Sequence, residues 1–117
     1  MSPRREAQRA AVEQRLEPGE SLVAFAGAIV SRRGRRRHRS LPKGGFVLVR
    51  TDRRLLALHT TAWRLHPGDM VVSWSIDEGA TIAPAAFGHA RLVLPDRSVV
   101  NLAPFGGWSL ARLSRPR

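Results

Sequence analysis

The stretch Phe46 to His59, FVLVRTDRRLLALH, decides the fold. Residues 46–50 (FVLVR) and 53–59 (RRLLALH) are two apolar runs on either side of Thr51-Asp52, the clearest β-hairpin in the chain. The turn contains no glycine, so Asp52 is expected to hold it by accepting hydrogen bonds from nearby backbone amides.

Working outward, the neighbouring segments also read as strands. Residues 21–30 alternate, with Val23, Phe25 and Ile29 on one face and Ala24, Ala26 and Ala28 on the other. A short strand is expected around Ala62 to Leu65, followed by a turn at His66-Pro67-Gly68-Asp69. In residues 70–76, Val72, Trp74 and Ile76 alternate with Val71, Ser73 and Ser75. Residues 77–89 are rich in Gly, Ala and Pro, with a short strand at Thr81 and Ile82. A second hairpin joins Arg91–Leu94 to Ser98–Leu102 through Pro95-Asp96-Arg97, with Leu92, Leu94, Val100 and Leu102 facing inward.

Two helices flank these strands. Residues 3–17 carry Ala7, Ala10, Ala11, Val12 and Leu16 roughly on one face, and Pro18-Gly19 ends them. That apolar face is thin, so the helix is expected to pack weakly or to serve a neighbour. Residues 105–113 (FGGWSLARL) are expected to form a short helix carrying Trp108, Leu110 and Leu113. The sequence thus predicts a mainly β fold of about seven short strands with N- and C-terminal helices. Such meanders close into a barrel or two packed sheets, because open edges invite aggregation. The C-terminal helix would plug the open end. In domain terms, residues 1–18 are the N-terminal helix, 19–113 the β domain with its cap, and 114–117 a tail.

At 117 residues there is one hydrophobic core to build. With 43% hydrophobic and 25% charged residues, the composition is that of a folded globular protein. No apolar run approaches the ~18–20 residues that cross a bilayer, and MSPRREAQRAAVEQRL lacks the apolar segment of a secretory signal. The absence of cysteine excludes disulfides, thiolate metal sites and cysteine nucleophiles. The expected location is the cytoplasm, with peripheral attachment at the inner membrane face.

The net charge of +11 is concentrated. Residues 1–20 are neutral, with four Arg and four Glu, and residues 44–117 carry +4. The remaining +7 is Arg32, Arg33, Arg35, Arg36, Arg37, Arg39 and Lys43. A GC-rich coding sequence accounts for Arg over Lys, but not for six of 19 Arg within eight positions.

LEPGESLVAF, FVLVRTDRRLLAL and the closing RLVLPDRSVVNL hairpin together resemble the bacterial pleckstrin-homology-like domains, and are similar to the related GRAM domains. Those domains enter strand one through a Leu-Pro-Gly-Glu-like segment. They then carry a strand ending in Thr-Asp-x-Arg-Leu, matched here by Thr51, Asp52, Arg53, Arg54 and Leu55. The resemblance spans roughly residues 16–113. It implies a bent seven-stranded barrel capped by a C-terminal helix, with no catalytic machinery and no cofactor. It also implies that the arginine-rich segment is the loop between strands one and two. In eukaryotic relatives, basic residues there and at the start of strand two hold phosphoinositide headgroups. By that analogy Arg37, Arg39 and Lys43 are the positions carried over. This segment has more Arg than the family pattern, and bacterial members are mostly not lipid-headgroup specialists; many mediate assembly instead.

The chemistry of the segment is that of an anion-binding surface, since guanidinium groups grip phosphates bidentately. On an anionic leaflet each basic residue contributes ~1 kcal/mol, and only Leu41 is available to insert. Nucleic acid is the rival ligand, and its binding would be non-specific. No aromatic residue interleaves Arg32 to Arg39 for base stacking, and no helix is placed to enter a groove.

Enzyme signatures are lacking. His59, His66 and Asp69 have metal-ligand chemistry but read as polar residues at strand ends. No serine sits in a G-x-S-x-G setting, and Gly44-Gly45 and Gly106-Gly107 do not make a phosphate-cradling loop. Trp74 and Trp108 read as core, whereas Trp63 with Arg64 is a candidate partner surface. The expected function is a non-catalytic binding or assembly module that contacts anionic membrane surface or a protein partner, possible as an oligomer. The alternative is a non-specific nucleic-acid-binding accessory protein.

Overall fold

The computed structural model describes residues 3–30, 45–60, 67–104, 110 and 113. Helix α1 (Pro3–Glu13) precedes seven strands: β1 (Leu22–Val30), β2 (Phe46–Thr51), β3 (Arg54–Thr60), β4 (Pro67–Ser75), β5 (Thr81–Pro84), β6 (Ala90–Val93) and β7 (Val99–Pro104). They form one antiparallel sheet in the order β4-β3-β2-β1-β7-β6-β5.

The sheet is therefore open, and this corrects the closed barrel expected from the sequence. Strands β4 and β5 are its two outer members and do not pair with each other. A 3-10 turn at Ile76–Glu78 links them. Instead of closing, the sheet limits its exposed edge. β5 is only four residues long and ends in Pro84, which has no N–H to offer a further strand. β4 begins at Pro67, where a turn was expected. An outer strand tolerates proline because one side of its backbone needs no partner.

Two cores lie on opposite faces of the sheet. In the larger, Phe46, Leu48, Leu55 and Trp74 from β2–β4 meet Leu92, Val100 and Leu102 from β6 and β7. β1 contributes the buried Ala26 and Ala28 to this face, with Ala24 and Val30 partly buried beside them. Ala26 lies opposite Leu48 and Ala28 opposite Phe46, so small side chains alternate with large ones across the pair. In the smaller core, Phe25, Val47, Val49, Leu56 and Leu58 pack with Val12 of α1.

This explains why FVLV is buried along its whole length: one face meets the main core and the other meets the helix side. The helix is more than a loose appendage, for Val12 is 0% exposed. Its apolar face is thin because one valine, with Leu16 beside it, suffices to complete a core whose other residues come from strands.

Most of the expected C-terminal helix, residues 105–113, lies outside the described residues. After Pro104 the described residues comprise Leu110 and Leu113, both fully buried in the main core. The Leu113 carbonyl accepts a hydrogen bond from Arg50 Nη1 at 2.8 Å. Two leucine anchors and one carbonyl clamp thus tie the end of the chain to β2. The expected strand at Ala62–Leu65 and the core role of Trp108 lie outside the described residues.

Candidate functional site

The residues that carry the resemblance form one structural joint. Thr51 Oγ1 accepts hydrogen bonds from the backbone amides of Arg53 (3.1 Å) and Arg54 (3.0 Å), and donates to Glu20 Oε2 (2.7 Å). The β2–β3 turn is therefore held by the threonine. Asp52 accepts from a backbone amide as expected, but from that of Ser21, just before β1, to its Oδ1 at 2.9 Å, and its own N–H donates to Ser21 O at 3.0 Å. A hydroxyl both accepts and donates, so only Thr51 can close the turn and engage a carboxylate together.

That carboxylate is Glu20, whose side chain is 0% exposed. Arg54 grips it with two prongs, Nε to Oε2 at 2.8 Å and Nη2 to Oε1 at 2.9 Å. The Glu17 amide donates to Oε1 at 3.0 Å. Arg54 Nη2 also reaches the Arg15 carbonyl (3.4 Å) at the end of the helical segment. The Arg54 hydrogen bonds are the main reason that Glu20 is lowered from 4.5 to about 2, against burial, which pushes it up. Arg54 is raised in turn, chiefly by its bonds to Glu20. Gly19, with φ +81°, lets the chain turn sharply into this joint. The joint is saturated with internal partners, so its chemistry is that of a fastener.

The opposite end of the sheet has another character. β1 finishes at Val30 and β2 starts at Phe46, beside Ala28. Phe46 faces His59 near the end of β3, and Thr60 pairs with Pro67 at the start of β4. On the other side of β1, Ala28 pairs with Pro104 and Val30 with Leu102, so β7 begins beyond Val30 in the same direction. The connections 31–45, 61–66 and 95–98 are thus all attached at one end. They hold nine Lys or Arg and one acid, Asp96.

Of the residues singled out in the sequence, Arg32, Arg33, Arg35, Arg36, Arg37, Arg39, Lys43, Trp63 and Arg64 lie outside the described residues. The strands define only the points where their segments join the sheet. The sequence places Arg97 in a hairpin connection and gives it no part in the anion-binding surface. It is exposed and adopts φ +71° after Pro95-Asp96, with its amide bonded to Leu94 O at 2.9 Å. Asp96 Oδ1 accepts from the Ser98 amide (2.9 Å) and hydroxyl. Short hairpin loops of this kind place glycine at the left-handed position. An arginine there was the available signal.

Arg97→Gly is expected to raise stability by about 0.5–1 kcal/mol, since left-handed strain of ~1–2 kcal/mol outweighs the greater freedom of glycine in the unfolded chain. A urea midpoint that falls instead would show that the arginine side chain supports the turn.

Among the described residues no three His, Cys, Asp or Glu side chains gather as a metal site. No described helix is long and apolar enough to cross a membrane. No protein-family model matches the chain, and no match was found among curated proteins or solved structures.

Proposed function

We propose that this chain is a non-catalytic binding module on a pleckstrin-homology-like plan, which contacts anionic membrane surface through the arginine-rich segment between β1 and β2. The observation that supports this reading is the address of the charge. The segment with seven basic residues joins the sheet at the same end as the connections bearing Arg64 and Arg97, away from the saturated Glu20–Arg54 joint. Charge collected at one end gives the molecule a cationic pole, and a planar anionic surface engages such a pole with many residues at once.

Replacing Arg35, Arg36, Arg37 and Arg39 together with Ser should weaken co-sedimentation with phosphatidylserine-containing liposomes by about a hundredfold or more, at ~1 kcal/mol per lost cation. The unfolding midpoint should not move. Unchanged liposome binding in this variant removes the segment from the mechanism. A native chain that ignores liposomes but shifts nucleic acid with steep salt dependence transfers the pole to phosphate backbones. Binding to neither polyanion leaves the module to a protein partner.

A further inference from the structure

Strands β5 and β6 are joined by Ala85–His89, closed by a hydrogen bond from the Ala85 amide to His89 O at 2.9 Å. Phe87 stands at the tip, 91% exposed. The next most exposed large apolar side chain among the described residues, Val99, is at 52%, so Phe87 stands apart. Its backbone is also strained: φ +59° is the left-handed region, where a bulky side chain is an outlier. A His89 ring nitrogen lies 3.1 Å from the Phe87 carbonyl and braces this geometry. A water-exposed aromatic in a strained conformation gains nothing for the folded monomer, which directs attention to what it meets.

The prong has a definite charge. From Thr81 to Pro95 there is no Asp or Glu, while His89 and Arg91 are present. Arg91 is exposed and faces Ala83 on β5, and Ala83 and Pro84 are exposed beside it. The hairpin is thus an aromatic tip with an apolar shoulder and one exposed cation, Arg91.

A groove of complementary character lies elsewhere on the same molecule. Between α1 and the start of β1, an open groove of about 520 Å³ is lined by Leu16, Pro18 and Leu22 together with Glu13, Glu17 and Glu20. Arg9 also lines it but is held by Glu13 at 3.0 Å, and Glu20 is turned to Arg54. Glu17 keeps a largely exposed carboxylate at the rim, 3.9 Å from Arg54. The groove is several times larger than a benzyl group.

We propose that the chain associates with itself by docking Phe87 of one copy into the α1–β1 groove of a second, with Arg91 facing Glu17. Prong and groove are different patches, so the contact is head-to-tail and builds rings or filaments, not an isolated two-fold dimer. It uses none of the arginine-rich segment and is independent of any membrane contact.

Sedimentation velocity over a wide concentration range, without lipid, tests this. The native chain should form concentration-dependent oligomers, as should the chain with Arg35, Arg36, Arg37 and Arg39 replaced by Ser. Phe87→Gly should weaken association at least about tenfold, a change of 1.4 kcal/mol. It should melt at the same or a higher temperature, because glycine relieves the strained backbone. Glu17→Arg and Arg91→Glu should each weaken association, and the double variant should regain it. A monomeric native chain overturns the proposal, as does undiminished association in Phe87→Gly or a charge-reversed pair that fails to recover. A monomeric native chain whose liposome binding depends on Phe87 would assign the tip to a bilayer instead.

Discussion

Arg54→Ala should lower the unfolding free energy by about 3 kcal/mol, as removing one partner of a buried pair leaves an uncompensated charge. The Glu20 carboxylate is 0% exposed, and among the described residues it would retain the Thr51 hydroxyl and the Glu17 amide as hydrogen-bond partners. For a domain of this size the loss corresponds to roughly 10–15 °C in Tm. The pH dependence carries the same information. A carboxyl at about 2 in the folded chain and 4.5 in the unfolded one contributes on the order of 3 kcal/mol at neutral pH. Because the folded value is the lower, that stability is complete above pH 4.5 and is lost as pH falls toward about 2. The gap between native and Arg54→Ala unfolding free energies, from denaturant titrations, should be flat near neutral pH and narrow across that acidic window. Arg54→Lys should fall between them, because an ammonium cannot make the two-pronged contact. A loss below about 1 kcal/mol, independent of pH, would reduce the pair to an ordinary surface ion pair.

Val12→Asp should cost at least about 4 kcal/mol and free the helix from the sheet. Val12 is 0% exposed and is the fully buried contribution of α1 to the core formed by Phe25, Val47, Val49, Leu56 and Leu58. A carboxylate there has no cation and no hydrogen-bond donor supplied by those apolar side chains, so it must either be buried unpaired or expel the helix. Expulsion would wet the outer face of β2 and β3. Guanidinium denaturation, dye binding to exposed apolar surface and hydrogen exchange of α1 amides should report the change together. Exposed Glu6→Ala on the same helix should change stability by less than about 0.5 kcal/mol. A Val12→Asp variant that unfolds like the native chain would mean that the helix contributes little to the core.

The strands were legible because each carries its own periodicity. FVLVRTDRRLLALH, the alternation around Trp74 and the RLVLPDRSVVNL hairpin all became paired antiparallel strands, with Leu92, Leu94, Val100 and Leu102 buried as expected. Closure was not legible. Whether β4 and β5 meet depends on how far the sheet bends, and that follows from side chains packing across the main core between segments far apart in sequence. The turn at Thr51-Asp52 was legible, and Asp52 does accept from a backbone amide, that of Ser21, while Thr51 Oγ1 accepts from the amides of Arg53 and Arg54. Asp52 is a common turn former, yet Ser21, just before β1, lies close enough to capture its carboxylate and amide. At the candidate anion-binding end, the density of arginine in residues 32–39 is visible in the bare sequence. That Arg97 belongs to the same end requires the β1–β7 register, which no local pattern encodes.

Local pattern was enough to locate the described strands in their order, the start of the first helix and the concentration of positive charge, since these depend on neighbours within a few positions. The tertiary structure alone decided that the sheet stays open, that Val12 completes a second core and that Glu20 meets Arg54 across 34 positions of chain. It also decided which connections share an end. Pairing between distant strands fixes these features, and its energy comes from contacts that no single segment can make alone.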